Sequence, residues 1–525
     1  MPLLLSPLPL NIDGFPLARI ATGILEDGRW LLDPADLHAY NLRMPAYSAV
    51  WSALAGLAGL RPLTDLPWAM ALVTSLVVLP GYLLGVKSTG HRGVGLAAGA
   101  FLALFGSFLF LTSAIMKESL GLVILPIVVL LFAERADPRK RALALVLLLV
   151  IPFLHHLTTL MALGMVSALV VLSASRAVRR GTFRWRSLVL DVLTGPGAAA
   201  ATWAYYSAVD MPFFRDVTSS GDLALFLSLT GLLAYLLARL RRPAALRARP
   251  RARRLPGPVA IVPAAVLLVL LANDRVPVFA GTGGTRPAFL ALLPALAILA
   301  AFAVAGYPVV RRTMGRAEDL VLAMLVAPAA LVLFALLRGL DPLSHALVYR
   351  SFDYIDFAFA LLAGVGVVLA WNAVPRMRGL RLAVPALFLA ALLATTPMAW
   401  ESQAVFGVEN VTTSAEFEAL AYLATLGAAN VTTDQRLADV AAWWFGIDGD
   451  ATLPFRLSEG EDVPGPGHAL LLERWTTVGA QVHPAANLAI PRAVLDAFLS
   501  EHTVLRVTGP PGDRIFLVYM GAVSG

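Results

Sequence analysis

The chain has 525 residues, of which 58% are hydrophobic and only 14% charged, and its mean hydropathy is +0.75. Soluble domains run at roughly 45–50% apolar and about 25% charged, so the composition excludes a soluble globular protein and describes a polytopic membrane protein. The net charge of +7 does not imply nucleic acid, because the arginines fall in short loops between apolar runs, where they set orientation in the bilayer. The absence of cysteine excludes disulfides, thiolate metal sites and a cysteine nucleophile.

Met1 to Leu10 is too short to span and lacks the basic start of a signal peptide. Residues 10–30, "LNIDGFPLARIATGILEDGRW", then predict an amphipathic helix lying on a membrane surface. Pro16 suits the first turn. Leu17, Ile20, Ala21 and Ile24 share one face, while Arg19, Glu26 and Asp27 point elsewhere. Asp13 precedes the helix either as an N-terminal cap or a charge favoured by the helix dipole, or as a carboxylate held at the surface to act as a general base. Segment 46–60 is apolar but short and is expected in the interface. Asp33, Asp36 and Asp65 read as surface charges.

Membrane segments are expected at 66–86, 93–112, 119–133, 142–154, 157–173, 187–207, 222–238, 256–272, 287–308, 319–337, 352–372 and 380–398. Basic residues alternate with the segments. Lys87 and Arg92, 135–141, 176–186, 239–254, 311–316 and 376–381 form six basic loops, which the positive-inside rule places in the cytoplasm. That alternation requires 142–173 to be a hairpin of two short helices with His155 and His156 at its tip. The N-terminal 65 residues, 112–119, 208–221, 273–286, 338–351 and everything after about residue 400 then face outside.

Three constellations on that outer side carry charge into apolar surroundings, and each also has a structural reading. Lys117 and Glu118 open a membrane segment, as snorkelling charges or as a cation for a phosphate beside an acid. His155 and His156 form either a polar turn or one substrate contact. Adjacent side chains diverge, and the pair lacks the i, i+4 spacing of a zinc helix. Arg350, Asp353 and Asp356 recur every three residues near one helix face, as an interfacial salt bridge or with Arg350 gripping a phosphate as a planar fork. "FAGTGGTR", 279–286, lacks the Lys-Ser/Thr of a P-loop and reads as an outer loop, with Asp274, Arg275 and Arg286 near it.

After Trp400 the composition changes to that of a compact α/β domain of about 120 residues. A helix is expected at 414–426 with Phe417, Leu420, Ala421 and Ala424 on one side. "RLADVAAWWFG" and "PRAVLDAFLSEH" also read as helices, and "ANVTTD", "HALLLER", "TVLRVTG" and "DRIFLVYM" as strands. Asn410 and Asn430 each begin a glycosylation triplet. The expected domains are thus an outer N-terminal region, 1–65, a membrane domain, 66–399, and an extracytoplasmic α/β domain, 400–525.

"NIDGFPLARIATGILEDG" followed by "YNLRMPAYSAVWSALAGLAGL" resembles the first outer loop of the GT-C superfamily of membrane glycosyltransferases, which use lipid-linked sugar donors. "LTSAIMKESLGLVILPIVVLLFAER" is similar to their second outer loop. "HHLTTL" and "YRSFDYIDFAFALLAG" look like segments of archaeal members with an outer soluble domain. The resemblance implies a GT-C-like membrane fold and transfer of a hexose or pentose from a polyprenyl phosphate to a glycan, lipid or protein acceptor. It implies catalytic roles for Asp13 and Glu118, and substrate contacts from Lys117, His155, His156, Arg350 and Asp353. If a divalent cation takes part, oxygen ligands without cysteine select Mg²⁺ or Mn²⁺. In the family a membrane helix precedes the first acid, and none precedes Asp13 here. "AAWWFG" echoes the Trp-Trp-Asp-Tyr-Gly motif of oligosaccharyltransferases, with Phe445 where the motif has its aspartate. The rival reading is a lipid or small-solute transporter, which would place polar groups at the midplane on broken helices such as the one at "LTGPGA", 193–198.

Overall fold

The structure is a computed structural model. It describes residues 7–33, 36–211, 220–240, 286–313, 315–339, 342–374, 378–401, 404–405, 411–461, 463, 467–483 and 486–521. The chain opens with helices that rest on the end of a bundle. α1 (Gly14–Asp27) packs along α3 (Ala46–Ala58), with the single turn α2 (Ala39–Leu42) between them in sequence. α1 buries Leu17, Ala18, Ile20 and Ala21 and half-buries Ile24, the face expected. Gly28 ends it at φ 66°, a left-handed cap that glycine adopts without strain. Tyr47, Trp51 and Ala55 of α3 close over that face, and Ile115, Leu120 and Leu154 support it from the bundle.

The bundle comprises α4 (Leu66–Ser75), α5 (Val78–Thr89), α6 (Arg92–Leu104), α7 (Gly106–Ser113), α8 (Lys117–Ala133), α9 (Pro138–Val150) and α10 (His156–Arg179). There follow α11 (Trp185–Thr194), α12 (Ala198–Ala208), α13 (Ser220–Leu240), α14 (Pro287–Thr313), α15 (Gly315–Arg338), α16 (Pro342–Ala373), α17 (Arg378–Ala394) and α18 (Pro397–Trp400). Among the described residues seven helical stretches are long and apolar enough to cross a membrane, or eight if α6 and α7, bent by 65°, form one span. Segments 119–133 and 142–154 are helical but short, at 17 and 13 residues. Segment 187–207 is split into α11 and α12 at Gly195-Pro196-Gly197, because proline supplies no N–H and glycine favours the coil. Segment 256–272, residues 241–254 and 279–285, Asp274, Arg275, Arg376 and Asn410 lie outside the described residues.

α14 and α16 pack backbone to backbone. A Cβ on Gly306 would lie 2.0 Å from the Leu362 carbonyl oxygen, and one on Gly366 would lie 1.9 Å from that of Phe302. Small residues let the two backbones touch, the usual device of membrane helix pairs.

The expected hairpin forms, with α9 and α10 joined by the turn Ile151–Phe153. Its basic ends meet others. Arg135 and Arg141 share Asp191 at 2.8 and 3.0 Å, Arg176 pairs with Asp319, and Arg316 reaches Glu134 at 3.6 Å. The residues that open α9 and α15 and close α8 and α10 therefore gather at one end of the bundle.

The C-terminal domain contains α19 (Ser414–Thr425), β1 (Asn430–Thr432), α20 (Gln435–Val440), β2 (Asp448–Asp450), α21 (Leu453–Glu459) and β3 (His468–Leu472). It ends with β4 (Ala480–His483), β5 (Ala486–Leu488), α22 (Arg492–Glu501), β6 (Thr503–Thr508) and β7 (Ile515–Tyr519). Five strands run in the order β2-β1-β3-β7-β6, parallel where β1 meets β2 and β3 and antiparallel beyond. β4 and β5 form a separate hairpin. The buried face of α19 is Glu416, Ala419, Leu420 and Leu423 rather than the expected one, and Ala424 is exposed. Glu416 turns the helix inward because it pairs with the buried guanidinium of Arg436 and with Arg474. The domain docks through aromatic rings. Phe15 of α1 stacks on Phe417 at 6.0 Å, and Phe417 meets Trp444 and Phe445 at 6.3 and 4.9 Å.

Candidate functional site

Asp13 precedes α1, where its charge suits the helix dipole, but its side chain accepts no capping hydrogen bond. Gly14 sits tight against the turn before α8. A Cβ there would lie 2.4 Å from Pro9 Cβ and 3.4 Å from the Ile115 carbonyl oxygen. Ile115 holds φ at 57°, a left-handed conformation that is strained for a β-branched residue. The chain enters α8 from this turn with Lys117 and Glu118 drawn inside, 6% and 2% exposed.

Lys117 Nζ donates to Asn41 Oδ1 at 2.6 Å and lies 4.0 Å from the centre of the Tyr40 ring. The Tyr40 hydroxyl stands 3.3 Å from His156 Nδ1. The histidines divide as their adjacency implies. His155 caps α10, with Nδ1 3.4 Å from the Thr158 N–H and 3.0 Å from its hydroxyl, while His156 turns to Tyr40. Thr158 passes the chain of polar contacts to Tyr354 on α16, hydroxyl to hydroxyl at 3.0 Å.

Arg350, also on α16, places Nη1 3.6 Å from Glu118 Oε2. The Glu118 carboxyl meets the Tyr354 hydroxyl, but among the described residues its Oε1 is buried with no hydrogen-bond partner, an arrangement that costs free energy unless a donor arrives. Asp353 is close enough to Glu118, Asp356 and Arg350 for their charges to act on it. Asp13 acts likewise on Tyr40, Lys117 and Glu118. Burial, reinforced by that Asp13 charge, pushes the Tyr40 phenol up. The structure thus gathers Lys117, Glu118, His155, His156, Arg350 and Asp353, with Asp13 beside them, at the end of α8 and α10 away from the arginine-rich end.

The other acids singled out are engaged elsewhere. Asp65 pairs with Arg61 at 3.0 Å, and Asp36 Oδ1 accepts from the His38 N–H at 2.6 Å. Among the described residues no three His, Asp or Glu side chains converge as metal ligands.

Sequence reasoning missed several members. Tyr40 and Asn41 complete the surroundings of Lys117. Arg43 is 6% exposed, with Nε donating to the Val209 carbonyl at 2.7 Å and its own carbonyl accepting from the Tyr205 hydroxyl at 2.7 Å. Tyr40 and Arg43 are three apart in a helical turn, a spacing that places them on one side. Asp439 of the C-terminal domain also feels the Asp13 charge. Burial pushes its carboxyl up to about 6, Asp13 and Asp434 add to the rise, and a hydrogen bond from Gln435 opposes it.

No protein-family model and no curated protein matches the chain. Among solved structures it is similar to an oligosaccharyltransferase of Archaeoglobus fulgidus crystallised with Zn and sulfate, at 14% identity and a TM-score of 0.48 over 85% of this chain. The chain spans 58% of that enzyme's length. It is also similar to ArnT of Cupriavidus metallidurans bound to undecaprenyl phosphate, at 16% identity and a TM-score of 0.40, covering 98% of this chain and 96% of ArnT. The apo form of ArnT matches at 12% identity and a TM-score of 0.30, over 98% and 94% of the two chains.

Proposed function

We propose that this protein is a membrane glycosyltransferase that moves a hexose or pentose from a polyprenyl-phosphate-type donor to an acceptor on the outer membrane face. The observation that carries this reading is the union of Lys117, Arg350 and the buried Glu118 on helices that open toward the surface layer, with the Asp13 charge acting on Lys117 and Glu118. Buried charge at a membrane boundary is costly and is kept where it meets a substrate.

In this reading the donor phosphate lies against the Lys117 ammonium and the Arg350 guanidinium. The acceptor nucleophile attacks the anomeric carbon while the bond from that carbon to the phosphate oxygen breaks. Asp13 takes the proton of the nucleophile. The electron pair of the broken bond stays on the polyprenyl phosphate, and the two cations stabilise the charge that grows there. Glu118 holds Arg350 and offers Oε1 to a donor group of the substrate. Asp353 supports the Arg350 side. His156 with Tyr40 borders the phosphate, and His155 fixes the start of α10 through Thr158.

The gathered basic end then faces the cytoplasm, and the site and C-terminal domain face outside. A transporter would carry its polar groups at the midplane on broken helices, whereas this cluster lies at one end. The test is incubation of the purified chain with a radiolabelled sugar on polyprenyl phosphate. Release of polyprenyl phosphate with sugar passed to acceptor or water is expected, and an intact donor after prolonged incubation would contradict the reading.

A further inference from the structure

The five-stranded sheet ends on two different edges. β2, Asp448–Asp450, is three residues long and carries two carboxylates, which keep other strands away. β6, Thr503–Thr508, is six residues long, and no strand lies on its outer side among the described residues. Its apolar side chains are exposed, with Val504, Leu505 and Val507 at 37%, 43% and 50%. The one charge on the strand is drawn off the edge, because the Arg506 guanidinium lies over the Tyr422 ring of α19 at 4.9 Å. A long, apolar, unguarded edge is a site for another strand.

The register that β6 keeps with β7 selects the partner. Val504 sits opposite Val518 and Arg506 opposite Leu517, so Leu505 is the extra residue of a β-bulge. In a regular strand residues three apart point to opposite faces. The bulge cancels one step. Val504 and Val507, opposite Val518 and Phe516, come to one face, and Thr503 and Thr508, opposite Tyr519 and Ile515, to the other. Two copies of β6 laid antiparallel about a two-fold axis then pair Val504 with Val507 and Thr503 with Thr508. Each side chain meets a like one on its own face, and Leu505 lies next to the axis. Without the bulge the same register would set each valine on the face opposite its partner.

We propose that β6 is a self-association edge, through which two copies of this chain join their sheets into one continuous sheet. Main-chain hydrogen bonds along the edge and the matched valine and threonine pairs hold the contact. It is isologous and closes on itself, so it makes a dimer and not a filament. It draws on none of the charged residues gathered around Glu118, and so stands whether or not the chain transfers sugar.

The chain has no cysteine, so introduced thiols read the register directly. Full-length chains carrying Val504→Cys and Val507→Cys, each with its own affinity tag, are co-expressed, and their membranes are treated with a mild oxidant. Disulfide-linked dimers bearing both tags are then measured. The mixed pair is expected to link at least about 10-fold more than Val504→Cys with itself, because a disulfide tolerates little offset along the strands. Thr503→Cys with Thr508→Cys should link likewise, and Asp448→Cys on the opposite edge should not. Leu505→Lys in both chains sets two ammonium groups at the axis and should lower linking of the mixed pair about 10-fold, with an unchanged thermal midpoint because Leu505 is exposed. Absence of linking in both mixed pairs overturns the proposal. So do equal linking by the Asp448→Cys control, linking indifferent to Leu505→Lys, and adducts with a different protein in place of the second tag.

Discussion

Arg350 and Lys117 are not interchangeable. Arginine is a planar fork that grips two oxygens at once, and lysine is a flexible point charge. Arg350 is also the cation 3.6 Å from the buried Glu118. Arg350→Gln is expected to lower kcat for sugar transfer by about 10²–10³, and Arg350→Lys to recover only part of that loss, read from steady-state rates with a polyprenyl-phosphate-linked sugar. Full activity in Arg350→Gln would remove it from the phosphate site. These residues were legible in the sequence because a charge inside an apolar run stands out. Asp439 was not legible: an acid in a polar α/β domain is ordinary, and only the docking of Phe15 on Phe417 brings it near Asp13. Arg43 was hidden among many loop arginines, and its burial comes from contacts with Val209 and Tyr205, far along the chain.

Elements hold these side chains through close backbone approach. A methyl group on Gly14 would collide with Pro9, so Gly14→Ala displaces the start of α1 and with it Asp13. Misplacement of a catalytic group by about 1 Å costs on the order of 10² in rate. Gly14→Ala should lose activity on that scale while its thermal midpoint stays near wild type. Unchanged activity would show that the start of α1 does not position the chemistry. Gly366→Leu acts differently: its side chain has no room against the Phe302 backbone, and the yield of monodisperse protein in size-exclusion chromatography should fall. Helix periods were readable from the sequence for α1 and for the long apolar helices. The face of α19 was not, because Glu416 is buried by a partner 20 residues away. The expected long segment at 187–207 was broken by glycine and proline, visible residues whose effect the apolar count concealed.

At the scale of the whole molecule, a surface layer and a small domain cover one end of a membrane bundle, and a buried ion cluster holds that domain together. Arg436 donates to Glu416 at 2.9 and 2.6 Å and to the Val411 carbonyl at 2.9 Å, tying the fold to the segment that leads into it. Removing one partner of a buried pair costs about 3–5 kcal/mol, so Arg436→Ala should speed hydrogen exchange of α19 and α20 accordingly. Burial alone would raise the Glu416 carboxyl, but Arg436 and Arg474 outweigh it and hold it at about 2, below the usual 4.5. A lowered folded pKa means that the unfolded state takes up the proton first. The contribution is complete above about pH 4.5 and disappears as pH falls through about 2. Exchange protection of the domain should fall across that window in wild type and less in Glu416→Gln.

In the proposed reaction Asp13 is the base of a sugar transfer at this end of the bundle. The most direct measurement compares wild type with Asp13→Asn for transfer from a polyprenyl-phosphate-linked sugar, alongside donor binding by each. A fall in kcat of about 10²–10⁴ in Asp13→Asn is expected, with donor affinity nearly unchanged. Equal kcat in the two proteins would contradict it.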